Sequence, residues 1–178
     1  MIKVLITGPE SSGKSYLTEQ LSHYFKAPMV NEFARDYLKE KNGYAQTDLT
    51  RIAIGQMNLE KEGEKETPEF LFCDTGIEVV MIWSLEKFHS VDEQIELLAK
   101  ESDYDLVLLC KPNIPWKEDP LRENPNDRDR LFDLYVEYFS NTNYHVRIID
   151  APKENRIWHA IEYVKYVISS TIQSRFMN

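Results

Sequence analysis

Residues 3–21 read KVLITGPESSGKSYLTEQL, and this stretch decides the fold. The run from Lys3 to Thr7 is almost wholly apolar and β-branched, the pattern of a strand covered on both faces in a parallel sheet. Gly8-Pro9-Glu10-Ser11-Ser12-Gly13-Lys14-Ser15 then satisfies G-x-x-x-x-G-K-[ST] at every fixed position. Leu17, Leu21 and Tyr24 follow at helical spacing. Strand, glycine-containing loop and amphipathic helix in that order make a phosphate-binding loop. The glycines let successive N–H groups face one concavity, and the helix N-terminus adds its partial positive charge. On this reading Gly8, Glu10, Ser11, Ser12, Gly13, Lys14, Ser15 and Tyr16 surround the phosphates of ATP, Lys14 reaches the β- and γ-phosphates, and the Ser15 hydroxyl ligates Mg²⁺.

Short apolar runs recur at 28–30, 70–73, 106–110 and 146–149, with helix-length segments between them. Leu131, Leu134, Tyr135 and Tyr138 form one helical stripe; Ile157, Ile161, Val164 and Ile168 form another. Strands alternating with helices predict right-handed crossovers and a three-layer α/β fold. Residues 47–67 read as a long polar helix whose charged run, 60–66, is a solvated face. No repeat or linker divides the chain, so residues 1–178 are expected to form one domain, with a fraying tail over about 170–178.

A phosphate-binding loop needs a second acid for its metal, normally at a neighbouring strand end. Asp74 closes the run Phe70-Leu71-Phe72-Cys73; helix capping is the other reading of an acid there. Glu32 and Arg35 follow the second strand. They suit either an acceptor site, with Glu32 taking a hydroxyl proton and Arg35 clamping oxygens, or an i, i+3 ion pair on the surface. The segment 112–129 carries four prolines, Trp116, Arg122 and Arg128, and reads as a lid. Its arginines would stabilise transferring charge and its closure would exclude water. Trp116 either stacks on a flat ring or pins the loop.

Composition narrows the partners. A net charge of −9 opposes a nucleic-acid footprint, and no apolar run approaches the roughly 20 residues of a membrane helix. Cys73 and Cys110 each close an apolar run and read as buried thiols in a reducing, cytoplasmic setting. The four histidines have no metal-ligand spacing with either cysteine, so no zinc site is expected.

Taken together, GPESSGKS, NEFARDYL, FCDT with IWS beyond it, and YDLVLLCKPNIPWKEDPLRENPNDR resemble the ribosylnicotinamide kinase domain of the bacterial bifunctional NAD-biosynthesis regulator, in family order over residues 2–168. The resemblance implies a P-loop NTPase fold like that of nucleoside kinases, with about five parallel strands and an Arg-containing lid. It implies ATP-dependent phosphorylation of a nucleoside 5′-hydroxyl, nicotinamide riboside the first candidate. Lys14, Glu32, Asp74, Arg122 and Arg128 would be catalytic, Glu32, Arg35 and Trp116 would meet the acceptor, and Ser15 and Asp74 the metal. Two positions depart from the family: Gly76 where a second Asp is usual, and Asn113 where Asp is common. They keep open an alternative, an ATPase or ATP-binding regulatory module without a small-molecule acceptor. A guanine-reading N-K-x-D and an adenylyltransferase H-x-G-H are both missing from these residues, so a free-standing, non-repressor version is expected.

Overall fold

The computed structural model describes residues 1–66, 69–119 and 122–176. Strands β1 (Ile2–Thr7), β2 (Met29–Val30), β3 (Phe70–Asp74), β4 (Leu106–Cys110) and β5 (Val146–Ile149) form one parallel sheet in the order β2-β3-β1-β4-β5. Helices α1 (Lys14–Phe25), α2 (Phe33–Leu38), α3 (Gln46–Glu66), α4 (Ile77–Phe88), α5 (Glu93–Glu101), α6 (Arg128–Ser140) and α7 (Lys153–Phe176) connect and cover it. Because every strand runs the same way, the connections that leave their carboxyl ends gather at one edge of the sheet. That edge is where open α/β sheets bind ligands.

The strands are apolar on both faces because both are covered. Val4, Ile6, Phe72, Leu106 and Leu108 face Leu17 and Leu21 of α1 and Ile161 and Val164 of α7. The alternate residues Leu5, Leu71, Cys73, Val107 and Leu109 face α4 and α6 through Val79, Ile82, Phe132, Tyr135 and Phe139. A further apolar cluster joins α2, α3, α4 and α5 around Leu38, Leu49, Ile52, Ile77 and Ile95. Both cysteines are buried and free.

The structure departs from the sequence reading in three places. Tyr24, the last position of the first helical stripe, is 47% exposed, because α1 ends one residue later. Helix α7 continues to Phe176, so the segment 170–176, read as a fraying tail, has helical backbone; residues 177–178, Thr67 of the polar helix, and Pro120 and Leu121 of the lid lie outside the described residues.

The third departure is the charged run of α3, which is not all solvated. Glu60 is fully buried; its carboxylate meets Lys3 Nζ at 2.9 Å and accepts the Tyr104 hydroxyl at 3.0 Å. Lys3 points to the α3 side of the sheet because its neighbours Ile2 and Val4 point the other way, and it also reaches Glu64 at 2.7 Å. Burial pushes the Glu60 carboxyl above its ordinary range, against the pull of Lys3. Lys3→Met leaves that acid buried without its cation and is expected to cost about 3 kcal/mol, with at least half regained in Lys3→Met/Glu60→Leu. Urea unfolding of the three proteins measures both; equal stability of the single variant and the parent contradicts the account.

Candidate functional site

The loop between β1 and α1 owes its shape to three positive φ angles: 135° at Gly8, 52° at Ser11 and 85° at Gly13. Gly8 is obligatory on contact grounds as well, since a Cβ there would lie 2.5 Å from the Cys110 carbonyl oxygen at the end of β4. Gly13 is the N-cap of α1 and offers no side-chain acceptor to that helix, whose N-terminal partial positive charge favours an anion. Lys14 Nζ lies across the loop on the Pro9 carbonyl at 2.9 Å. A cavity of about 180 Å³ opens over the loop, lined by Gly8, residues 10–16, Glu32, Arg35, Thr75, Arg122 and others.

Asp74 ends β3 beside this cavity. It does not cap α4, whose N-cap is Gly76, so the capping alternative falls. Its carboxyl is 3% exposed, and burial pushes it up to about 6 against the lowering pull of the Ser15 hydroxyl and Lys14. Its Oδ1 is buried without a hydrogen-bond partner. An orphaned carboxylate oxygen next to a serine hydroxyl is an all-oxygen donor set, which fits a hard divalent cation such as Mg²⁺.

Glu32 and Arg35 form the i, i+3 ion pair that their spacing allows, at the edge of the phosphate cavity. They pair at 2.8 Å, and both line the phosphate cavity. Arg35 also binds Asp119 of the β4–α6 segment at 3.0 Å and faces a second, larger cavity of about 640 Å³. The two cavities share Glu10, Arg35, Trp83 and Tyr135. Tyr44 and Trp83 stand with near-parallel rings 6.0 Å apart on the larger one, and Lys87 lies 3.8 Å over the Tyr44 ring.

The segment expected to be a lid is tied to the phosphate loop at several points. Glu10 does not face a phosphate position alone: its carboxylate accepts the Glu123 and Asn124 backbone N–H groups at 3.1 and 3.0 Å and the Asn124 side chain at 3.1 Å. Ser11 Oγ accepts the Lys117 N–H at 2.9 Å. The two lid arginines divide. Arg122 lines the phosphate cavity, held by the Lys117 carbonyl at 2.5 Å. Arg128 donates to the carbonyls of Ser11 and Ile114 and lies over the Trp116 ring, so it staples loop to loop. Trp116 is on the wall of neither cavity. Tyr16 is half exposed at the phosphate cavity's rim.

Sequence reasoning missed Tyr44, Trp83 and Arg156. Trp83 stood in the quoted IWS stretch without a role; Tyr44 sits in a connection with no pattern. Arg156 is buried and donates to the carbonyls of Ser12, Lys111 and Ala151 and to Asn113, and nothing in the stripe of α7 signals that.

Both departures from the family pattern have local causes. Asn113 donates to Asp150 at 2.9 Å while accepting from Arg156, two roles that an ionised Asp cannot combine. At Gly76 a Cβ would lie 2.5 Å from Glu78 Oε2 and from the Tyr104 hydroxyl. The Glu78 carboxyl therefore occupies the space that a side chain at 76 would need.

Two expectations follow. Glu10→Ala frees two lid amides, so hydrogen exchange at Glu123 and Asn124 should quicken about ten-fold or more while α1 is unchanged; unaltered exchange would contradict the latch. Burial raises the Glu78 carboxyl to about 7, and one of its oxygens has no partner. The folded state therefore holds a proton that the unfolded chain loses above its ordinary carboxylate range, so this group's contribution to stability is full at low pH and declines as pH rises through about 7. Glu78→Gln should stabilise the protein at pH 8 by about 2 kcal/mol and change little at pH 5, read from urea midpoints.

Comparison with known proteins agrees with the geometry. Residues 3–156 match the AAA domain family. The trifunctional NAD biosynthesis/regulator protein NadR of Salmonella typhimurium is 29% identical over 170 residues, which cover 91% of this chain and 42% of that protein. The chain thus spans less than half the length of this relative. A NadR protein in complex with NAD and AMP-PNP superposes with a TM-score of 0.75 at 23% identity, over 93% of this chain and 49% of that one. A NadR protein in complex with NR gives 0.71 at 21% identity, over 93% and 51%. The chain belongs to the AAA domain family, on a fold shared with NadR.

Proposed function

We propose that this protein transfers the γ-phosphoryl group of ATP to the 5′-hydroxyl of a riboside, nicotinamide riboside first. The observation that carries this reading is the pair of cavities meeting at Arg35. One is built from a phosphate-binding loop, and the other has the volume of a nucleoside-sized ligand and a wall of Tyr44 and Trp83 for a flat ring. The likeness to NadR, known in complex with NR and with AMP-PNP, supports both halves.

In this reading the loop amides and Lys14 hold the β- and γ-phosphates. Ser15 and Asp74 would hold Mg²⁺, which would neutralise phosphate charge there. Glu32, kept in place by Arg35, orients the acceptor hydroxyl and accepts its proton as the oxygen bonds to phosphorus and the bond to the β-phosphate oxygen breaks. Arg35, fixed between Glu32 and Asp119, clamps ribose oxygens. Arg122 faces the transferring group from the β4–α6 segment, and Arg128 and Trp116 brace that segment from behind. The segment's ties to Glu10 and Ser11 keep water from the γ-phosphate. Buried free thiols and the absence of a helix long and apolar enough to cross a membrane, among the described residues, support a cytoplasmic setting.

The test is incubation with Mg-ATP and a panel of ribosides, assaying ADP and phosphorylated product together. Acceptor-dependent product is expected, reduced at least about 100-fold in Lys14→Ala. ADP released equally with and without acceptors would replace this reading with the ATPase module.

A further inference from the structure

Gln56 lies on α3 and is 2% exposed, outside the walls of both cavities, yet its amide joins the two strand ends that carry the site's carboxylates. Its Oε1 accepts the Phe33 N–H at 2.9 Å. Its Nε2 donates to the Thr75 carbonyl at 3.3 Å and faces Glu60 Oε1 at 3.5 Å. Each contact answers a local need. Phe33 is the first residue of α2, whose N-cap Glu32 provides no side-chain hydrogen bond, so one first-turn N–H has to find an acceptor elsewhere. Thr75 follows Asp74 directly and has φ 66°, a conformation that a β-branched residue keeps only when its surroundings hold it. The Thr75 N–H is bound by the Ile6 carbonyl at 3.0 Å, and Gln56 binds its carbonyl.

We infer that Gln56 is a positioning residue for phosphoryl transfer, fixing the separation of Glu32 from Asp74 by binding the backbone beside each. The inference rests on the function proposed above. Only a side chain that accepts and donates at once does this: an ionised carboxylate cannot donate to Thr75, and a thioether can do neither well. The link from Glu60 to Lys3 anchors the amide in turn to β1, so the reference point for both carboxylates is the central strand.

Gln56→Met removes both contacts at nearly constant volume, and Gln56→Glu keeps the acceptor for Phe33 alone. Each is compared with the parent by steady-state kinetics on nicotinamide riboside. Thermal midpoint and affinity for a fluorescent ATP analogue, with Mg²⁺ and with EDTA, complete the set. Both variants should lose about 30- to 100-fold in kcat, because small misplacement of reacting groups is that costly. Riboside KM should rise several-fold in Gln56→Met and stay within about two-fold of the parent in Gln56→Glu. Analogue affinity should fall with Mg²⁺ and hold in EDTA, since the phosphate loop is untouched. A kcat within about two-fold of the parent, or affinity lost equally in both buffers, overturns the inference. Should Gln56→Met not fold, Gln56→Glu decides by the same kcat and affinity criteria. If the parent phosphorylates no riboside, the functional reading fails by itself; the Mg²⁺-dependent affinities still decide for Gln56, and equal values in parent and variants overturn its role.

Discussion

The site depends on one close approach, the α-carbon of Gly8 against the Cys110 carbonyl. Strands β1 and β4 pair in parallel up to Thr7 and Leu109, so the chain leaving β1 must turn across the end of its neighbour. Without a side chain at position 8 it turns close enough for the β4 continuation to serve as scaffolding. Arg156 then spans the carbonyls of Ser12 and Lys111, and Ser11 receives the Lys117 amide. Phosphate loop and lid are in this sense one packed unit hung on two adjacent strand ends.

Behind that unit the structure places acids where water does not reach. Asp74, Glu78 and Glu60 are all nearly or fully buried and all pushed above the ordinary carboxylate range. Their treatment differs. Glu60 has a cation, a phenol and an amide around it and acts as structure. Asp74 has an unpartnered oxygen beside the phosphate cavity, close to the Ser15 hydroxyl and within the field of Lys14. Glu78 lies beside the Thr7 hydroxyl without a well-formed hydrogen bond to it, and fills the space above Gly76.

The strands and the phosphate loop were legible because their signals are local: continuous apolar runs, glycines at fixed spacing, and an acid at a strand end. All five strands fall within a residue or two of the apolar runs. Glu32 and Arg35 were legible as a pair, though spacing alone did not say that Asp119 would join them across 84 residues. What escaped was long-range. Glu60 reads as solvated in a charged run because its partner, Lys3, comes from the other end of the chain. Trp116 suits a stacked ring or a loop pin equally by sequence, and no local signal says that Arg128 lies over it. Trp83 lies in the quoted IWS stretch without a role of its own, and only the fold brings it to the cavities. Gly76 reads as the loss of a second acid, and no local signal says that Glu78 and Tyr104 leave no room for a side chain there.

The latch at Glu10 has an evolutionary consequence. Two of its three bonds are to main-chain amides, at Glu123 and Asn124. Every residue but proline presents such an amide, so substitutions along this stretch of the lid can accumulate without unfastening it. The segment is therefore free to drift in its side chains while its attachment stays constant. Variation is tolerated along that segment, and much less of it at Glu10.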